Sequence, residues 1–267
     1  LKMLHALPPY DFAGQENDFA KARFVVIPVP YDSTCSFNAG TRDAPHLMIA
    51  ASRFMEEKKC GGIFTTEELE PCRADARETM RRIAQVVGDA IDAKKTPVLL
   101  GGEHTIAYGA LSAYRQRDFS VLALDAHLDF RDEFEGSPLS HACTLRRLHE
   151  IAPVTVVGCR SWGAEEMKDA KKAGVRVFGP RFNAREVAKG LRKNVYVSID
   201  FDALEEGFPT GMPEPNGMRY EDALALLQTV LKTRRLIGLD ATELLAANAR
   251  DAYAAAKLVY EILCMGG

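Results

Sequence analysis

"VLALDAHLDFRDE" (121–133) opens as an apolar run and then sets Asp125, His127 and Asp129 on alternate positions. Its first residues read as a short strand covered on both faces. In extended backbone, residues i, i+2 and i+4 project to one face, so the two acids and the imidazole are expected to converge. Alternate acids on a buried face repel and need compensation. The stretch therefore predicts an interior strand whose carboxyl end carries chemistry.

Runs of the same kind recur on both sides of it: "FVVIPV" (24–29), "PVLLG" (97–101), "VTVVG" (154–158), "VRVFG" (175–179), "VYVSIDFD" (195–202) and "RLIGLD" (235–240). Segments with helical spacing lie between most of them. In 74–95, Met80, Ile83, Val86, Val87 and Ile91 fall near i, i+3, i+4 positions, and 220–233 and 251–263 read alike. Strands alternating with helices predict an α/β fold, a mostly parallel sheet with helices on both faces. With no internal repeat, low-complexity tract or linker, residues 1–267 are expected to form one domain.

Bulk properties exclude several function classes. Hydrophobic residues make up 47% of the 267, charged residues 27%, and the net charge is −3. No block of like charge points to nucleic acid or a membrane surface. No apolar run approaches a membrane span, and the amino end lacks the basic-then-apolar order of a signal peptide. The six cysteines are scattered without a Cys-x-x-Cys pair, so reduced thiols in the cytoplasm are the expectation.

Ligands of open α/β sheets sit outside the carboxyl ends of the strands, which singles out four places. Gly101-Gly102-Glu103-His104 follows one strand, the paired glycines allowing a sharp turn. Asp125, His127 and Asp129 follow the second, Asp200 and Asp202 end the third, and "DATEL" offers Asp240 and Glu243 at the fourth. Taken singly, an acid at a strand end is as readily a cap for the next helix. Jointly, two histidines and four aspartates at one sheet edge make a ligand set for two divalent cations. Carboxylates and imidazoles without thiolates suit Mn²⁺, with Fe, Co or Zn as alternatives and Ca²⁺ disfavoured by the histidines. Four aspartates also balance two dications in charge.

These residues resemble the ureohydrolase (arginase/agmatinase) family, and agmatinases within it. The family's Gly-Gly-Asp-His, Asp-Ala-His-x-Asp and Ser-x-Asp-x-Asp motifs match "GGEHT" (101–105), "DAHLD" (125–129) and "SIDFD" (198–202). "VPYDSTCSFNAGTRDAPHLMIAAS" (29–52), "VGCRSW" (157–162), "GMPEPNG" (211–217) and "AAAKLVYEIL" (254–263) also have counterparts. The resemblance implies a three-layer α/β/α fold, two Mn²⁺ per chain, hydrolysis of a guanidino compound to urea and an amine through a metal-bridging hydroxide, and a homo-oligomer, trimeric or hexameric. It assigns His104, Asp125, Asp129 and Asp200 to one ion. It assigns Asp125, His127, Asp200 and Asp202 to the other, with Asp125 and Asp200 bridging. It also makes His141 a proton carrier at the mouth and Glu243 the acceptor of the guanidinium. Asp129 is expected to pass a proton to the leaving amine.

The sequence departs from the family at Glu103, where Asp is usual, which puts the orientation of His104 in question. It departs again in "DALEEG" (202–207) and "ELLAANARDAYAAA" (243–256), where Asn248 and Asp251 preserve part of the usual pattern. The "SHACT" segment and the nearby Asp132, Glu133 and Glu135 favour an amine tail, making agmatine the expected substrate and putrescine the product, a step of polyamine synthesis. N1-aminopropylagmatine is the rival, and guanidinobutyrate another if Arg131, Arg146 or Arg160 binds its carboxylate. A one-zinc polyamine deacetylase and a non-catalytic regulatory relative are the readings from other classes.

Overall fold

A computed structural model describes residues 10–14, 18–116, 118–205, 207–246 and 248–265. Glu206 in the first divergent loop and Ala247 in the second lie outside them. Among the described residues eight strands form the sheet: β1 (Phe24–Val29), β2 (Ile63–Thr65), β3 (Thr96–Gly101), β4 (Ser120–Leu124), β5 (Val154–Val157), β6 (Arg176–Phe178), β7 (Asn194–Asp200) and β8 (Arg235–Thr242). Their order is β2-β1-β3-β8-β7-β4-β5-β6, every neighbour parallel. β2 escaped the sequence pattern because an edge strand of three residues is too short to show a period.

Parallel pairing requires crossovers, supplied by α1 (Ala44–Ser52), α2 (Ala76–Asp92), α3 (Ile106–Ser112), α4 (Thr144–His149), α5 (Ala164–Ala173), α6 (Ala184–Lys189) and α7 (Tyr220–Leu231); α8 (Ala249–Met265) follows β8. Strand residues alternate between two cores. Phe24, Val26, Leu122 and Leu124 pack with α1, α6, α7 and α8. Val25, Ile27, Val121 and Ala123 pack with α2, α3, α4 and α5. That period of two, with helices on each side, is the three-layer α/β/α fold the sequence implied. The helix ends follow local chemistry. Asp75 Oδ1 accepts the Arg77 and Glu78 amides to start α2, and Asn248 Oδ1 accepts those of Arg250 and Asp251 to start α8. Among the described residues no helix is long and apolar enough to cross a membrane.

The chain reaches β4 only after leaving β3, and later returns to lay β7 and β8 between them. The four loaded strand ends thereby become neighbours in mid-sheet, where the direction of winding reverses and an open α/β sheet has its crevice.

The expectation of six reduced thiols is overturned. Cys60 and Cys264 form a disulfide across a sequence separation of 204, while Cys35, Cys72, Cys143 and Cys159 are free. Packing of α8 against α1 brings the carboxyl end of the chain to the segment after α1. No local spacing of cysteines signals a bond that closes so long a loop. Closing it removes entropy from the unfolded chain, so Cys264→Ser is expected to lower unfolding free energy by about 2–4 kcal/mol. Denaturant titration with and without reductant checks this. Reductant should bring the parent down to the variant, and coincident curves without reductant would contradict a stabilising cross-link.

Candidate metal centre and active-site cavity

Each of the four central strands ends in a different local device. After β3 the chain passes close beneath its neighbours: a Cβ on Gly101 would lie 2.2 Å from Ile106 Cδ1, and one on Gly102 2.0 Å from the Tyr31 carbonyl oxygen. The glycines serve close approach here rather than a left-handed turn, since neither has a positive φ. They deliver His104 to the sheet end immediately before α3.

β4 stops at Leu124, so Asp125, His127 and Asp129 do not lie on a continuous strand. The expected alternation is therefore not what gathers them. His127 makes an isolated bridge to Ser161, its amide donates to Asp125 Oδ1 at 2.7 Å, and Asp129 takes a left-handed φ of 44°. β7 likewise ends at Asp200. Residues Phe201–Ala203 form a 3-10 turn, and Asp200 Oδ1 accepts the Asp202 amide at 2.9 Å. Irregular backbone held by its own carboxylates does what the strand period was expected to do.

The result is one buried cluster. His104, Asp125 and Asp200 each place a donor atom within 4.8 Å of the others, as do Asp125, His127 and Asp202, so Asp125 belongs to both sets. Asp129 Oδ2 stands 3.1 Å from His104 Nδ1, and Asp200 Oδ2 3.8 Å from it. Asp202 Oδ2 stands 2.6 Å from His127 Nδ1. Asp125 Oδ2 is buried without a hydrogen-bond partner. Four carboxylates and two imidazoles in this compass, with one carboxylate common to two triads, fit a pair of divalent cations.

Hydrogen bonding selects the nitrogen that His104 would offer. Ser198 Oγ donates to Asp240 Oδ1 at 2.8 Å and lies 2.9 Å from His104 Nε2. With its own proton committed, Ser198 accepts from Nε2–H, leaving the lone pair on Nδ1, the atom that faces the aspartates. Asp240 is thus a support behind His104 rather than part of the cluster, and Ser198, the first residue of "SIDFD", is its link.

Burial and crowding set the protonation of these groups. Desolvation, then the charges of Asp129 and Asp202, pushes Asp125 up to about 7. Desolvation and the charges of Asp202, Asp125 and Glu243 raise Asp200 well above the carboxylate range. Burial opposes charge on His127, but the hydrogen bond and charge of Asp202, with Asp125 and Asp129, outweigh it and bring the imidazole to about 10. Burial works against Asp202 too, yet His127 holds it below its ordinary value.

Glu243 follows β8 at a left-handed φ of 64°. Its amide donates to the Gly102 carbonyl at 2.7 Å, and its Oε1 accepts the His104 amide at 2.7 Å, which ties β8 to β3. Glu243 does not cap α8; Asn248 does. Desolvation, then Glu103, raises Glu243 well above its ordinary value. Glu103 itself is engaged by Thr34. Its two oxygens accept the amide and hydroxyl of Thr34, both at 2.6 Å, so the longer arm holds the 34–36 segment instead of orienting His104. Thr34 and Ser36 in turn hold His141. The His141 amide donates to Thr34 Oγ at 3.0 Å, Nδ1 lies 2.7 Å from the Thr34 carbonyl, and Nε2 lies 3.1 Å from Ser36 Oγ. Facing a carbonyl, Nδ1 must carry a proton, so Nε2 is the nitrogen that gains or loses one.

A cavity of about 390 Å³ opens over this floor, with His127, Asp129, Asp200, Asp202, His141 and Glu243 in its lining. The acidic loop offers it nothing. Asp132 pairs with Arg146 at 3.2 Å and Arg147 at 3.0 Å, and neither it nor Glu133 nor Glu135 lines the cavity. Arg146 is held by Asp132 and Asp169, and Arg160 by the carbonyls of Gly158, Asp202, Glu214 and Pro215. Arg131 does reach the lining, with its guanidinium 5.1 Å from the Phe134 ring centre. The structure adds Thr34, Ser198, Glu214 and Trp162 to the site's surroundings. Each lies in a stretch that resembles the family, Thr34 in 29–52, Trp162 in 157–162, Ser198 in 198–202 and Glu214 in 211–217, but the resemblance gave none of them a role of its own.

The model of the family described as "Arginase family" matches residues 22–265. The chain is 34% identical to the N(1)-aminopropylagmatine ureohydrolase of Thermus thermophilus, over 96% of this chain and 94% of that protein. It is 28% identical to the agmatinase of Pyrococcus horikoshii, over 98% and 99%. Among solved structures, the agmatine ureohydrolase of Thermoplasma volcanium superposes with a TM-score of 0.85 at 27% identity, over 94% of this chain and 92% of that one.

Two outcomes follow from the geometry. Asp125 and His127 both keep protons in the folded protein that the unfolded chain loses, Asp125 up to about 7 and His127 up to about 10. The site's contribution to the stability of chelator-treated protein therefore falls as pH rises from the carboxylate range through 10. Divalent metal displaces these protons, so Mn²⁺ added to lightly buffered metal-free protein at pH 7 should release protons and raise the melting temperature. Metal uptake without proton release would contradict the assignment. Ser198→Ala removes the acceptor of the Nε2–H bond and is expected to weaken metal binding roughly ten- to a hundredfold with the fold intact; calorimetric titration reads it, and unchanged affinity would sink the role.

Proposed function

This chain belongs to the arginase family, and we propose that it is a ureohydrolase that cleaves agmatine to urea and putrescine with two Mn²⁺ ions. His104, Asp125, Asp129 and Asp200 would hold one ion, and Asp125, His127, Asp200 and Asp202 the other. When bound, the pair supplies water ionised near neutral pH as the nucleophile. The observation that carries this reading is a carboxylate, Glu243, lining the same cavity as the aspartate–histidine cluster.

The chemistry of the substrate explains why a carboxylate is needed there. A guanidinium is a resonance-stabilised cation, and its central carbon resists attack unless held against the nucleophile. Glu243 pairs with it in a fork, and Oε1 keeps its bond from the His104 amide, since each carboxylate oxygen has two lone pairs. Cationic charge arriving in the site draws Glu243 back to its ionised form. Asp129 accepts the proton given up by the attacking oxygen and passes it to the departing nitrogen as the C–N bond breaks, so that urea keeps the new oxygen and the amine leaves neutral and takes its second proton from solvent. His141, its ring fixed by Thr34 and Ser36, exchanges protons with solvent through Nε2.

N1-aminopropylagmatine is the second reading, supported by the Thermus thermophilus relative that carries it in its name. The cytoplasmic setting, the homo-oligomer and the place in polyamine synthesis belong to the same proposal. The deciding experiment is urea release from a panel of guanidino compounds by Mn-loaded protein. Within it, Glu243→Gln removes one charge of a desolvated pair, worth on the order of 2–5 kcal/mol. That corresponds to roughly a thirty- to several-thousand-fold loss in kcat/KM, with two metals still bound. A Glu243→Gln protein that works at the parental rate would take Glu243 out of the reaction.

A further inference from the structure

The two imidazoles of the cluster are framed unequally. His104 is wholly buried, and Ser198 and Asp240 stand behind its Nε2. The His127 side chain keeps 21% exposure and lines the open cavity. Its Nδ1 faces Asp202 Oδ2 at 2.6 Å. At its other ring nitrogen, Glu214 Oε1 lies 3.5 Å from Nε2, an ion-pair separation that a small rotation of the glutamate side chain closes to a hydrogen bond. Among the described residues no other hydrogen bond or ion pair engages the Glu214 carboxylate.

The segment that carries Glu214 is stiff and attached to the Asp202 turn. Pro213 and Pro215 flank the residue, and a following proline confines Glu214 to extended backbone. The Met218 amide donates to the Ala203 carbonyl at 3.0 Å, and the Glu205 amide to the Met218 carbonyl at 2.9 Å. A Cβ on Gly217 would lie 2.0 Å from the Leu204 carbonyl oxygen. Arg160 completes the attachment. Its amide donates to the carbonyl of Ala126, next to His127, at 2.8 Å. Its Nη2 donates to the carbonyls of Asp202 at 2.8 Å and Glu214 at 2.6 Å, and its Nε to that of Pro215 at 2.7 Å. One residue thus joins the loop of His127, the turn of Asp202 and the loop of Glu214, a span that suits a fork of five donors and not the single ammonium of lysine.

We propose that Glu214, set in place by Arg160, is the positioning residue of His127; this rests on the two-metal ureohydrolase reading above. A carboxylate facing Nε2 takes the proton-bearing nitrogen, which leaves the Nδ1 lone pair on the side of Asp125 and Asp202. A partly exposed ring without such a partner is ordered only by the ion itself, at a cost in affinity. Glu214 thus serves His127 as Asp240, through Ser198, serves His104. The rival for the same carboxylate is the amine end of the substrate, since Glu214 also lines the cavity.

The test is calorimetric titration of the metal-free parent, Glu214→Ala, Glu214→Gln and Arg160→Lys with Mn²⁺, followed by urea release from agmatine at limiting and saturating Mn²⁺. The parent should take up two ions. Glu214→Ala should weaken one of them roughly ten- to a hundredfold and leave the other as it is. Glu214→Gln keeps an acceptor oxygen and should retain most of the affinity, while Arg160→Lys should follow Glu214→Ala. Saturating Mn²⁺ should restore turnover in Glu214→Ala with the KM for agmatine unchanged. Unaltered Mn²⁺ affinity in Glu214→Ala would overturn the inference, and a raised KM alongside it would assign Glu214 to the substrate. Equal weakening of both ions would also overturn it. A parent that takes up no pair of ions would overturn the two-metal reading itself. The Glu214 carboxylate receives no hydrogen bond among the described residues, so its loss leaves the fold in place, which the melting temperature of each metal-free variant verifies.

Discussion

Four buried aspartates that face one another cannot all ionise. Asp125, Asp129, Asp200 and Asp202 lie within a few ångströms of two imidazoles, and the suppressed ionisation of Asp125 and Asp200 expresses the conflict. A chain that gathers such groups stores repulsion in its interior unless positive charge enters. Much of the surrounding structure can be understood as what holds that conflict in place.

The sheet is the first part of the restraint. β3, β8, β7 and β4 are adjacent and buried on both faces, so their ends are fixed by two cores at once. Gly238 on β8 shows how tight this packing is, since a Cβ there would lie 2.4 Å from the Tyr114 hydroxyl and 2.7 Å from the Tyr196 ring. The non-glycine residues at positive φ in the site, Asp129 and Glu243, occupy strained backbone that only such a frame can impose.

A second restraint is the set of hydrogen bonds one step behind the cluster. Asp240 and Ser198 fix the His104 ring from below, while Glu103 and Thr34 fix His141 from the side. Two acids that look alike in sequence thus do different work. Asp240 orients a proposed metal ligand, and Glu103 braces the loop that carries a proposed proton carrier. Neither touches the space a substrate would fill, and both are wholly buried.

The alternation of short apolar runs with helical segments was legible in the residues, because burial on both faces of a parallel strand writes a continuous apolar run. So was the load of acids and imidazoles at four strand ends, since residue type and order along the chain are local properties. The tertiary structure decided what local properties cannot express. Insertion of β7 and β8 between β3 and β4 made those ends neighbours. The convergence of Asp125, His127 and Asp129, read from the sequence as strand alternation, came instead from irregular backbone after Leu124. The Cys60–Cys264 bond, the brace from Glu103 to Thr34 and the bonds of Arg160 to Asp202 and Glu214 each join segments far apart in sequence. Pairings of that kind leave no periodic trace, because they exist only once the layers have packed.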